Sequence, residues 1–192
     1  ARERREVLDL LLFAAAVGAL VSGAAIVGLP YLIRTGLGLS ARLYGAAESA
    51  MGLAALLGGL AAGTLAARLP FRRLNRLVAV VGGCCLLGGG ALLLPVGAMG
   101  QYGALVLVFC VGQAMACTFS IFAVSAIQQR TPEHMTGKVM ACVSTISMCA
   151  QPLGQMLYGL WFDASPGWVV LPASGAAIFA LGVCSRKLFE KW

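Results

Sequence analysis

The sequence predicts an all-α membrane protein of six transmembrane helices, and three observations carry that expectation. Of 192 residues, 60% are hydrophobic and 11% charged, whereas a soluble domain carries about 25% charged residues. Six long apolar stretches follow one another with short loops between them. Arg and Lys fall almost entirely on alternate loops. A hydrocarbon core needs roughly 20 mostly apolar residues to be crossed as a helix. In lipid the backbone has no water to bond to, so runs this long are expected to be helical.

The spans are expected at 8–29, 43–69, 74–94, 102–128, 138–162 and 168–183. That divides the chain into an amino-terminal segment (1–7), a bundle (8–188) and a short tail (189–192). The first run follows a basic opening and is too long for the apolar core of a signal peptide; five more spans follow it. The chain opens on Ala1 rather than Met, and with its charged start it is expected to be a piece of something larger. Ser40 is placed to cap the second helix with its side chain. Thr131-Pro132 is expected to start the fifth helix with Pro at the first helical position, and Ser165-Pro166 repeats that logic before the sixth. The sixth run is the shortest, and Pro172 and Ser174 interrupt it.

The net charge of +7 invites a nucleic-acid reading, but its distribution opposes one. Arg2, Arg4, Arg5, Arg68, Arg72, Arg73, Arg76, Arg130, Lys138, Arg186, Lys187 and Lys191 fall on one side of the bundle, and only Arg34 and Arg42 on the other. Positive loops stay cytoplasmic, so both termini are expected inside and no polyanion partner is implied. Tyr31, Tyr44, Tyr102, Trp161 and Trp168 fall near the outer interface, and Phe71, Phe189 and Trp192 near the inner one, as amphipathic rings prefer. Spans one to three run in the opposite sense to spans four to six, a topology common among transporters.

Of seven cysteines, six lie within the spans and Cys184 at the end of the last, without metal-ligand spacing, beside a single His. They read as small polarizable packing residues, and no metal or cofactor is expected. No GxSxG, HExxH or phosphate-binding glycine loop is present, so no enzyme constellation is expected.

Glu48 is the carboxylate set well inside a span, about 6 Å beyond Tyr44 at 1.5 Å per residue. A carboxylate there is costly unless it faces a cavity, finds a partner or takes up a proton. It reads either as a proton-coupling or cation-recognising group, or as an interfacial Glu paired with Arg42. Gly52, Ala55, Gly59 and Gly63 continue its face as a small-residue stripe suited to close helix packing. In the fifth span Ser144, Ser147, Gln151, Gln155 and Tyr158 share one face. Such a face lines a cavity or bonds to a neighbouring helix. Gln113, Cys117, Ser120 and Gln128 form a thinner version in the fourth span.

Two stretches resemble the major facilitator superfamily. Gly59, Gly63, Arg68, Arg72 and Arg73 match a degenerate copy of its cytoplasmic loop pattern Gly-x-x-x-Asp-Arg-x-Gly-Arg-Arg. Ala67 stands where the Asp would be and Pro70 where the second Gly would be. Pro132, Glu133, Gly137, Lys138 and Val139 are similar to a Pro-Glu-x-x-x-Gly-Arg/Lys-Val loop, a form found in the branch of macrolide-efflux-like and siderophore-exporter-like carriers. Leu39, Ser40, Tyr44 and Gly45 also fit that branch.

The resemblance implies the carboxy-terminal half of a twelve-helix carrier, two inverted three-helix repeats in a bacterial plasma membrane. Its partners would be the lipid bilayer, the amino-terminal six-helix half and a small amphipathic or hydrophobic substrate, exported by proton exchange. Glu48 would couple or recognise cations. Gln113, Gln151, Gln155 and Tyr158 would line the path. The loop residues of both motifs would shape a cytoplasmic gate. A non-transporting scaffold and a homodimeric half-transporter stay open as alternatives.

Overall fold

A computed structural model describes residues 2–65, 74–93, 95–129 and 131–185. Its helices are α1 (Arg2–Gly23), α2 (Ala41–Leu65), α3 (Leu74–Ala91), α4 (Gly97–Gln129), α5 (Glu133–Ala164) and α6 (Gly167–Cys184). No strand occurs among the described residues. Five helical stretches are long and apolar enough to cross a membrane. The exception is α5, which has the length at 32 residues but carries the serines and glutamines of its polar face. Leu53, Leu56, Leu57 and Leu60 of α2, Leu107 of α4 and Leu153, Met156, Leu157 and Leu160 of α5 point away from the bundle and are exposed. A surface this apolar suits lipid rather than water.

The first helix runs further than its sequence suggested. Beyond Gly23 it continues through two wide π-helical stretches, Ala24–Gly28 and Tyr31–Gly36, so the membrane-length segment reaches from Leu11 to Gly36. Pro30, between them, lacks an N–H and cannot join a regular i→i−4 ladder. The wider turns keep neighbouring groups bonded: Leu29 N–H donates to the Ala24 carbonyl, and Leu37 N–H to the Leu32 carbonyl at 2.8 Å. The chain leaves the helix at Gly38, whose φ of +65° is cheap only for glycine.

Helix starts also differ in detail. Pro132 and Pro166 are the N-cap residues of α5 and α6, with ψ of 140° and 148°, one position before the expected first helical turn. An N-cap is non-helical and needs no intrahelical N–H, so proline's fixed φ suits it. Thr131 closes α4 instead, its hydroxyl donating to the Ile127 carbonyl at 2.7 Å. Ser40 contributes its backbone carbonyl, which accepts from Leu43 and Tyr44, rather than a side-chain cap. Pro172 does not break α6, and its ring lies against Gly89 of α3.

Four pairings build the bundle: α3 with α6, α3 with α4, α2 with α4, and α1 with α5. Glycine sets how close each approach is. A Cβ on Gly82 would meet the backbone of Gly175 and Phe179, and one on Gly182 that of Ala79, so α3 and α6 pack backbone to backbone and antiparallel. A Cβ on Gly58 of α2 would strike the Ala114 backbone of α4, and one on Gly154 of α5 the Ala19 backbone of α1. At the first of these parallel seams the buried Thr118 hydroxyl lies 3.0 Å from the Gly58 carbonyl and 2.8 Å from the Ala114 carbonyl of its own helix.

The stripe 52, 55, 59, 63 is not that seam. A Cβ on Gly52 or Gly63 would meet nothing within 4 Å, and one on Gly59 only the Ile121 side chain at 3.8 Å. Gly58→Val and Gly154→Val are therefore expected to be severe, by about 1–3 kcal/mol or more each from overpacking. Gly52→Val and Gly63→Val are expected to be nearly neutral. Apparent Tm in detergent, read by size-exclusion fluorescence, separates them; equal Tm for Gly58→Val and Gly52→Val would refute the seam.

Candidate functional site

Between the α1–α5 pair and the α2–α4 pair lies a cavity of about 610 Å³. Its wall is mostly Ala, Val, Leu, Ile and Gly side chains from four helices, with Val78 and Val81 of α3 and Phe119 of α4 toward the core. Polar groups enter from every one of the four: Ser22 of α1, Glu48 of α2, Gln113, Cys117 and Ser120 of α4, Ser147 and Gln151 of α5. Parts of the polar faces read in the fourth and fifth spans thus meet across one space, while Gln128 and Ser144 are not among its lining residues.

Glu48 lies seven residues into α2, on the cavity side. Its carboxylate accepts a hydrogen bond from the Tyr44 hydroxyl one turn earlier, at 3.1 Å. That partner, rather than Arg42, is the one the side chain makes. The Tyr44–Glu48 spacing of four residues puts both on one helix face, so the bond is set by local sequence. Gly52 and Ala55 continue that face as cavity wall, leaving room beside the carboxylate where larger residues would fill it.

The five path residues separate into two groups. Glu48, Gln113 and Gln151 come together at the cavity, while Gln155 and Tyr158 are not among its lining residues. Tyr158 is 1% exposed and lies in the α1–α5 seam. Its ring covers Gly23, where a Cβ would collide with it, and it sits among Trp161 and Phe162 at centroid distances of 6.1 and 6.2 Å. One face of a helix this long spans two environments: a cavity over one half and a packed seam over the other.

The loop motifs lie elsewhere. Pro132 and Glu133 open α5, and Gly137 and Lys138 follow, exposed, in its first turns. None of them lines the cavity. Arg68, Arg72 and Arg73 lie outside the described residues.

Sequence reasoning missed α1 as a cavity wall. Ala14, Gly18, Ser22 and Ala25 all line it, at spacings of 4, 4 and 3 that form a small-residue stripe. The pattern was readable but is weak, because the second half of α1 is rich in Ala and Gly throughout. The Ser22 hydroxyl is held by the Ala19 carbonyl of its own helix at 3.1 Å.

Among the described residues no three His, Cys, Asp or Glu side chains gather as metal ligands, and no base stands beside a nucleophile in the cavity wall. A model of the Major Facilitator Superfamily matches residues 1–155 of the chain. The chain belongs to the Major Facilitator Superfamily. No curated protein and no solved structure gives a match. Membership in this superfamily makes the chain an integral membrane protein of a transporter family, not an enzyme family. A cavity lined from four superfamily helices is then the natural candidate for a path.

Water access distinguishes cavity from lipid. With the seven native cysteines replaced by Ala or Ser, single cysteines at Ser147 and Gln151 are expected to react with a charged methanethiosulfonate. Cysteines at Leu153 and Leu157, which point away from the bundle, are expected to stay unmodified. Equal reactivity of the two sets by mass spectrometry would remove the cavity.

Proposed function

We propose that the chain is the carboxy-terminal six-helix half of a secondary active carrier. It exports small amphipathic or hydrophobic compounds in exchange for protons across a bacterial plasma membrane, with both termini cytoplasmic. The observation that carries this reading is the cavity that brings Glu48, Gln113 and Gln151 together within apolar walls. A carboxylate in such a place is a default candidate for a functional group, and proton uptake is one way its cost is relieved. The Arg and Lys asymmetry of the loops supports the orientation.

Two inverted three-helix units are supported by the seams themselves. Gly58 of α2 rests on Ala114 of α4, and Gly154 of α5 rests on Ala19 of α1. Ala19 and Ala114 lie 95 positions apart, and Gly58 and Gly154 lie 96 apart. Thr118, whose hydroxyl reaches the Gly58 carbonyl, lies 95 positions after Gly23, where a Cβ would stand 3.0 Å from the Gly154 carbonyl. A constant offset is what a repeat swapped about an in-plane axis produces. The echo is in backbone approach, not in side-chain identity.

In this mechanism Glu48 alternates between a protonated state and a charged state facing the cavity. Gln113 and Gln151 offer amide donors and acceptors to the polar end of the substrate, and the apolar wall takes the rest. The loop residues Gly59, Gly63, Arg68, Arg72, Arg73, Pro132, Glu133, Gly137 and Lys138 belong to the cytoplasmic gate.

Two measurements test it. In native membranes, a probe against the carboxy-terminal end is expected to detect a product near twice the chain's 19.8 kDa, about 40 kDa as for two fused halves. A product near 19.8 kDa would favour a homodimeric half-transporter or a scaffold. In vesicles from matched expression, Glu48→Gln in the natural product is expected to lower pH-driven export at least about tenfold, the scale of one lost transition-state or binding interaction of 1.4 kcal/mol. Unchanged export would remove Glu48 from coupling.

A further inference from the structure

We infer that the cavity selects monovalent organic cations with an apolar body, the charge seated at Glu48; this rests on the reading of the cavity as a substrate site. Among the described residues Glu48 is the one Asp or Glu that lines the cavity, and no Lys, Arg or His does. The sign of the space is therefore negative, although the chain as a whole carries +7. Glu48 itself is exposed to that space, and the apolar walls around it focus the field of its charge, so an anion is disfavoured and a cation drawn in.

Among the described lining residues the charge is single. The position 96 residues after Glu48, its counterpart by the seam offset, is Ser144, so no second carboxylate balances the first. A lone carboxylate with amides at a distance is a poor cage for a metal ion, since hard cations take six or more oxygen ligands and no such cluster forms among the described residues. It suits a diffuse charge that needs no full coordination shell. The walls define the remainder of the ligand. Val78, Val81, Phe119 and Met51 form the inner surface, where a polyhydroxylated ligand would leave hydroxyls unpaired at a cost. Met51 adds an adaptable thioether contact that tolerates varied shapes. Tyr44 holds the carboxylate by one oxygen, leaving the other for the ligand.

Tetraphenylphosphonium and tetraphenylborate test the claim, because they share shape and differ in sign; the neutral dye N-phenyl-1-naphthylamine reports the apolar wall alone. The full chain in lipid nanodiscs is assayed by equilibrium dialysis, with empty nanodiscs subtracted for membrane partition. Saturable tetraphenylphosphonium binding is expected, tetraphenylborate binding at least tenfold weaker. Glu48→Gln is expected to weaken the phosphonium at least tenfold and leave the dye unchanged, which also shows that the variant is folded. Glu48→Asp is expected to recover part of the loss. Undiminished phosphonium binding by Glu48→Gln, or equal binding of both ions, overturns the cation inference while dye binding keeps the cavity. Failure of all three probes to bind the wild-type chain overturns the cavity reading and the inference with it.

Discussion

The bundle is organised by contacts between backbones. In lipid there is little hydrophobic gain from bringing two apolar helices together, so association relies on close packing and on hydrogen bonds between helices. Gly58 and Gly154 supply that closeness by having no Cβ where the Ala114 and Ala19 backbones pass. The seam at Gly58 is reinforced by the Thr118 hydroxyl, and the seam at Gly154 is sealed by Tyr158 lying over Gly23. Two parallel helix pairs result, and the antiparallel α3–α6 pair stands with them, joined through α4.

The cavity follows from those pairings. Because α1 is committed to α5 and α2 to α4, the faces that the two pairs turn toward each other are left apart. Those faces carry the polar residues Ser22, Glu48, Gln113, Ser120, Ser147 and Gln151. In its packed seam Thr118 finds partners in the Gly58 and Ala114 carbonyls. Beside an open space a polar side chain remains available to a ligand. The same helices thus present two kinds of residue: small ones where backbones touch, and sparse polar ones where they do not.

How much of this was legible in the sequence depends on what each signal measures. The six helices were readable because crossing lipid imposes length and composition at once. The first was misjudged at its end because hydropathy does not register that wide turns carry a helix past Pro30. The polar stripe of α5 was readable as a stripe, but spacing gives a face and not what the face meets, so Gln151 in the cavity and Tyr158 in the seam looked alike. The seam glycine was misplaced by a single position. Gly52, Gly59 and Gly63 share a face with Glu48, yet Gly58 makes the contact, and α2 carries enough small residues that no pattern separates the two faces.

The polarity of α5 closes the argument. Of the six helices it is the one not apolar enough to be recognised as a span by composition, although it is 32 residues long. A helix with Ser144, Ser147, Gln151 and Gln155 along one side is costly in lipid unless that side meets protein or water. Its apolar side carries Leu153, Met156, Leu157 and Leu160 outward, and Gly154 binds it to α1. The cavity side takes Ser147 and Gln151, whereas Ser144 and Gln155 lie outside it. The helix that looks least suited to a membrane is therefore the one that turns Ser147 and Gln151 to the cavity and its leucines outward.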